Sequence, residues 1–270
     1  MATQQAIFTN EGEALFAAML FKNDSTVRPA NLELLLFTNT TVSETTTYAQ
    51  LTEPTGGGYA RKTLTDANWT VASGVFSYGS QTFTPIGAAY TGNIQGAAIV
   101  TKGASPKVLF IVTDPLAPVA LTAGTPYIVA VNVACAATTK GNAEFFLNLL
   151  LKNQTSARGT DMKAVLITNA ADVSAKLESE LHKPTSAGGY LDITISDSTW
   201  TISTTSGDAV ATTSTSLTFT PTTTVFSADI VGYAIVTNTG NVVCVELDPT
   251  QPVAIPLNTP YIITPSIKVM

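Results

Sequence analysis

Apolar and polar residues alternate along this chain with two distinct periods. From Glu11 to Lys22 the apolar positions are 14, 15, 16, 18, 19, 20 and 21. That density predicts a helix that is apolar nearly all round, and therefore buried against a sheet or a neighbouring subunit. Asn10 stands where an N-cap is expected, with Glu13 three residues on. Beyond the helix the period falls to two. Leu32, Leu34 and Leu36 alternate along one predicted strand. Further strands are predicted over Tyr59–Leu64, Trp69–Val71, Val75–Phe83, Ile94–Thr101, Val108–Thr113, Pro118–Leu121 and Tyr127–Val133. Turn clusters punctuate them: 55–58, 73–74, 91–93, 102–103, 114–115 and 123–124. Short strands with regular turns predict an all-β unit with one short helix, best matched by a jelly-roll-like β-sandwich.

The same pattern then occurs a second time. Leu20-Phe21-Lys22-Asn23 returns as Leu150-Leu151-Lys152-Asn153, and Leu36-Phe37-Thr38-Asn39 as Leu166-Ile167-Thr168-Asn169, both at an offset of 130. Pro54-Thr55 returns as Pro184-Thr185. Gly57-Gly58-Tyr59 returns as Gly188-Gly189-Tyr190, Asp66 and Trp69 as Asp197 and Trp200, and Gly96-x-Ala-Ile-Val-Thr as Gly232-x-Ala-Ile-Val-Thr. Asp114-Pro115 and Thr125-Pro126-Tyr127-Ile128 return as Asp248-Pro249 and Thr259-Pro260-Tyr261-Ile262. The matches keep their order, and the added residues fall between apolar blocks, where loops accept them. The chain is therefore a tandem duplication. The predicted units are two β-sandwich repeats, 1–135 and 136–270, with a helix at 143–152 in the second and a small-residue junction near Ala134 to Gly141.

Composition narrows the function. Charged residues make up only 12% and apolar residues 45%, so the chain has the apolar content to fold and its surface must be coated by neutral polar groups. Threonine, at 45 of 270 residues, supplies them. Net charge is −6, with 6 basic against 8 acidic residues in the first half and 7 against 11 in the second, so neither half offers the basic stripe of a nucleic-acid partner. Residues 1–10 are polar and lack the basic and apolar regions of a secretory leader, and no apolar run reaches 18 residues, so neither a leader nor a transmembrane helix is expected. The two cysteines, Cys135 and Cys244, occupy unrelated repeat positions and read as free thiols, with Cys244 packed in a strand core.

Candidate chemistry is sparse. His182 is the single histidine, and its counterpart is Thr52, so it reads as a surface position. Glu44 and Glu53 form a conceivable acid/base pair, but the second repeat has Lys183 in place of Glu53. Asp66 and Asp197, each three residues before a tryptophan, read as Asx-turns with Trp69 and Trp200 filling core ends; the alternative is an acid beside an aromatic platform for sugar. Gly56-Gly57-Gly58 lacks a following Lys-Ser/Thr and a helix, so it reads as a tight turn and not a phosphate loop. Asp114 and Asp248 read as turn residues, since one carboxylate per repeat is too few for calcium. No catalytic, cofactor-binding or metal-binding residue is assigned, no cofactor is expected, and a non-enzymatic role is expected.

The order of blocks resembles a family of small phage virion proteins. The resemblance rests on Asn10 to Glu13, Leu34 to Asn39, Thr52-Glu53, Gly57 to Ala60, Leu64-Thr65, Trp69 to Val71, Phe83-Thr84 and Gly96 to Thr101. The second repeat departs from it at His182-Lys183 and Leu191 and keeps Gly188-Gly189-Tyr190, Trp200-Thr201 and Gly232-Tyr233. The resemblance implies β-sandwich domains that decorate or cement a capsid. Its implied partners are the major capsid protein and further copies of the chain, in a homotrimer, without nucleic acid or membrane. Its implied location is the capsid exterior of a virion, after synthesis in the host cytoplasm. A tail or fibre component, a small jelly-roll capsid subunit, and a carbohydrate-binding adhesin module stand as alternatives.

Overall fold

A computed structural model describes residues 6–72, 75–134, 142–206 and 208–269. The first repeat contains β1 (Ile7–Phe8), α1 (Asn10–Phe21), β2 (Leu32–Phe37), β3 (Lys62–Leu64), β4 (Thr70–Ala72), β5 (Val75–Phe83), β6 (Gly96–Thr101), β7 (Val108–Thr113) and β8 (Tyr127–Ala134). The second contains α2 (Asn142–Lys152), β9 (Met162–Ile167), β10 (Ile193–Ile195), β11 (Trp200–Ser206), β12 (Asp208–Thr213), β13 (Leu217–Phe219), β14 (Gly232–Thr237), β15 (Val242–Leu247), β16 (Tyr261–Ile263) and β17 (Ser266–Val269). The class is all-β with one helix per repeat, as the periodicity predicts.

Each repeat has a main antiparallel sheet, ordered β1-β7-β6-β2-β3 in the first and β10-β9-β14-β15 in the second. A smaller sheet, β4-β5-β8, faces it in the first repeat. Leu34, Leu36, Ala97, Ile99 and Leu109 of the main sheet share one core with Phe76, Phe83, Val131 and Val133 of the smaller one. In the second repeat the smaller layer is split into β11-β12-β17 and β13-β16. The split falls where β5 carries a register shift between Tyr78 and Gln81. Ser77 and Phe83 correspond to Thr212 and Phe219, so the second repeat has one more residue at this point, where the bulge gives way to a break.

The main sheets are buried on both faces, which is why β6 and β14 are continuous apolar runs without alternation. The outer face of the first, with Leu35, Phe37, Ala98, Val100 and Ile111, is covered by Val42, Tyr48 and Leu51 from the 38–61 connection. The matching connection of the second repeat lays Ala175 and Leu181 over Val165, Ile167, Ala234 and Val236. Glycine opens β6 and β14 because the neighbouring strand leaves no room for a side chain. A Cβ on Gly96 would sit 2.1 Å from the Val112 carbonyl oxygen, and one on Gly232 2.1 Å from that of Glu246.

Several expectations are corrected. The N-cap of α1 is Thr9, whose hydroxyl accepts the Gly12 N–H at 3.1 Å, and Asn10 is the first helical residue. Glu13 does not complete a capping box; it turns into the second repeat, as described below. The strand predicted from Tyr59, and its repeat from Tyr190, start three residues late, because 59–61 and 190–192 follow the glycine turns without joining the ladder; Gly56, Gly57 and Gly58 all take positive φ. Pro118–Leu121 makes only a bridge between Val119 and Ile94. The junction at 135–141, with Cys135, lies outside the described residues.

The two repeats share one core. Apolar contacts run unbroken from Leu15, Met19 and Phe21 of α1 to Trp200, Ala209 and Ala211 of the second repeat. Helix α1 packs on β11 and β12 as well as on its own β7. Phe16 meets Phe146 of α2 edge-on at 5.4 Å, and Phe21 lies 4.8 Å from the Trp200 ring. Both helices stop at an asparagine in the left-handed region, Asn23 (φ 52°) and Asn153 (φ 54°).

Candidate functional site

The polar groups worth weighing fall into three sets: those that join the repeats, those on the outer face of each main sheet, and isolated surface groups. The first set centres on Arg28 and Arg158, equivalent residues that are buried to 1% and 0% exposure. Arg28 donates from Nη2 to Asp66 Oδ1 at 2.6 Å and to the Leu151 carbonyl at 2.7 Å, and from Nη1 to Asp66 Oδ2 at 3.1 Å. Arg158 donates to Asp197, to the Leu20 carbonyl, and to the Phe21 carbonyl at 2.9 Å. Each guanidinium therefore caps the C-terminal end of the other repeat's helix, where carbonyls lack intrahelical partners and a cation is favoured. Each aspartate compensates the buried charge. Asp66 and Asp197 are thus ion-pair partners, and the Asx-turn reading is replaced. The arginines carried no motif; their recurrence at an offset of 130, each ahead of a recurring aspartate, was the available signal.

Glu13 belongs to the same junction. It is 4% exposed and accepts the Ala209 N–H of β12 at 3.1 Å. Burial raises its carboxyl above the ordinary value, and nearby Asp208 and Glu44 add to the rise, while the Ala209 bond and Lys268 oppose it. A raised folded-state value means that the folded chain holds this proton more tightly than the unfolded chain. This residue's contribution is therefore full below the ordinary glutamate range and lost as pH rises through its folded value. Glu13→Gln keeps an acceptor for Ala209 and removes the titration. The variant is expected to be more stable than the parent at neutral pH and to converge with it in acid, as read by denaturant unfolding at several pH values. A variant less stable at neutral pH would contradict this assignment.

The second set lies over the β2–β3 and β9–β10 pairs. In the first repeat Arg61 pairs with Glu33 at 3.0 Å and Glu53 at 2.6 Å and donates to the Tyr48 hydroxyl; Tyr59 donates to Glu53 at 3.0 Å. In the second repeat Glu178 binds Lys163 at 2.7 Å and Lys183 at 2.9 Å, Lys183 also binds Asp192 at 2.9 Å, and Tyr190 donates to Asp192 at 2.8 Å. The positions correspond: Glu33 to Lys163, Glu53 to Lys183, and Arg61 to Asp192, with Tyr48 becoming Glu178. The charges are inverted while the geometry is kept. Burial would raise the Glu178 carboxyl, but Lys163 and Lys183 overcome it and hold the group below its ordinary value. A substrate site would not survive exchange of every charge; an ion-pair lattice that seals a sheet face does. Glu53→Lys alone sets a lysine against Arg61, and adding Arg61→Asp recreates the Lys183–Asp192 pair of the second repeat. A double-mutant cycle is expected to give a favourable coupling of about 1 kcal/mol, and an additive cycle would contradict the lattice.

The remaining candidates do not converge. Glu53 is engaged by Arg61 and Tyr59, while Glu44 lies near Glu13 and Lys268, so the two carboxylates do not act as a pair. His182 is a surface side chain whose Nδ1 lies 2.7 Å from buried Asp172, which also accepts the His182 backbone N–H. Trp69 and Trp200 are each 2% exposed, so neither ring offers a platform for stacking. Asp114 and Asp248 hold their turns by accepting Leu116 N–H and Thr250 N–H at 2.8 Å, and each takes a hydroxyl bond from Tyr127 or Tyr261. Burial pushes the Cys244 thiol up to about 12, which disfavours its thiolate form. Among the described residues no three His, Cys, Asp or Glu side chains gather as a metal site, and no helix is long and apolar enough to cross a membrane.

A shallow groove of about 440 Å³ on the second repeat is lined by Tyr190, Leu191, Ile193, Phe219 and Phe226. At the equivalent place in the first repeat, Lys62 covers the Phe83 ring at 5.4 Å. No protein-family model, curated protein or solved structure matches the chain.

Proposed function

We propose that this chain is a structural virion protein, a decoration or cement protein that binds the outside of a phage head through the major capsid protein and holds neighbouring capsomers together. Each repeat is read as a jelly-roll-like sandwich, and the role as binding, not catalysis. One observation carries most of this reading: two related repeats are locked into one body by a continuous core and reciprocal buried arginines. Such a body holds two similar outer surfaces at a fixed separation. Linked contacts of modest strength then act together, because the first raises the effective concentration of the second. A ligand that binds the assembled shell and not its free subunits stabilises the shell by linkage. The neutral, threonine-rich exterior favours broad contacts over charge-directed ones.

The test is co-sedimentation of the purified chain with heads that lack it, and with dissociated capsid subunits. Binding to assembled heads, together with a raised temperature of head disruption, is the expected result. Failure to bind intact heads overturns the reading.

A further inference from the structure

Strand β8 bonds to β5 on one side and, among the described residues, to no strand on the other. Its eight residues, Tyr-Ile-Val-Ala-Val-Asn-Val-Ala, include no charge, proline or glycine. Ile128, Ala130 and Asn132 face outward and are exposed, Ile128 to 63%. On β5, Ser77 and Thr82, which pair with Asn132 and Ile128, and the exposed Gly79 and Ser80 between them are uncharged as well. Proteins ordinarily blunt an open edge with a lysine, a proline, or a short or broken strand. The equivalent edge of the second repeat has all three. It is divided into β16 and β17, of three and four residues, with Thr264-Pro265 between them and Lys268 on the second. The first repeat has none of them on a strand about 27 Å long at ~3.4 Å per residue.

We propose that β8 pairs antiparallel with β8 of a second copy of this chain across a twofold axis, joining two three-stranded sheets into one of six. Two features select a second copy as the occupant. Self-pairing sets each side chain opposite one from the same uncharged set, so no like charges are brought face to face. The duplication also leaves one unblunted copy of this edge per chain, since its counterpart is divided into β16 and β17. Two would let copies add end to end without closure, whereas one gives a closed pair. The inference stands apart from the capsid reading, and its symmetry differs from the trimer that the sequence resemblance implies.

Sedimentation velocity of the full chain over about 1–300 μM, the range of micromolar affinities, reads the outcome. The parent chain is expected to form a dimer. Ile128→Lys and Ala130→Lys, each at an exposed position, are expected to weaken it at least tenfold with unchanged circular dichroism and melting. Ile262→Lys, at the equivalent exposed position of the second repeat, is expected to leave it intact. A parent chain that stays monomeric or forms trimers overturns the proposal. So does a dimer that persists when Ile128 or Ala130 is replaced by lysine.

Discussion

Replacing Arg158 with methionine is expected to lower the stability of the whole chain by about 3 kcal/mol, the low end of the cost of breaking a buried pair, because Asp197 is 21% exposed. The guanidinium is fully buried, and its bonds reach Asp197 in its own repeat and the Leu20 and Phe21 carbonyls of the other. Methionine fills much of the volume and makes none of these bonds. Asp197 is then left without its counter-charge, and the end of α1 loses its cap. Arg158→Lys is expected to recover only part of the loss, because one ammonium cannot reproduce the planar fork that serves four acceptors, Asp197 and the Leu20, Phe21 and Gly159 carbonyls. In Arg158→Met with Asp197→Leu the penalty is expected to be smaller than for Arg158→Met alone, since no orphaned charge remains. Arg28→Met is expected to follow the same pattern with a smaller loss, because its Nε has no acceptor while Nε of Arg158 bonds Leu20. Denaturant unfolding measures all four. A loss under about 1 kcal/mol for Arg158→Met, the scale of an exposed ion pair, would mean that the arginine does not hold the junction.

Trp200→Ala is expected to cost about 3–5 kcal/mol, as for other buried aromatic truncations. The ring is 2% exposed and meets Phe21 of the other repeat, so the cavity would open inside the shared core. Trp200→Phe is expected to cost much less. The indole Nε1 has no hydrogen-bond partner, so the smaller ring forfeits packing volume and no bond. Leu191→Ala, at a position 76% exposed, is expected to stay within about 0.5 kcal/mol of the parent. A Trp200→Ala variant as stable as Leu191→Ala would show that the tryptophan is not part of the core joining the repeats.

What was legible in the sequence followed from short-range pattern. The alternation at Leu32, Leu34 and Leu36, the glycine turn before Tyr59 and the buried tryptophans follow from period and residue type, and the structure has them in place. The exit of α1 toward the second repeat could not be read. An all-apolar helix states that it is buried and not against what, and Phe21 packs on Trp200 at a separation of 179 residues, beyond any local signal. The pairing of Arg28 with Asp66 was hidden for the same reason, although both recur in the second repeat. The charge-inverted lattice at Arg61 and Asp192 is visible only once the fold shows which side chains meet. Before that, Lys183 in place of Glu53 reads as simple loss of a carboxylate.

The two repeats form a single body, with α1 packed into the core of the second repeat and Arg28 and Arg158 each bonded to the other repeat's helix. Differential scanning calorimetry of the full chain tests it most directly. One transition is expected, with calorimetric and van't Hoff enthalpies that agree for all 270 residues. Two separable transitions, or a calorimetric enthalpy about twice the van't Hoff value, would mean that the repeats unfold independently and would contradict it.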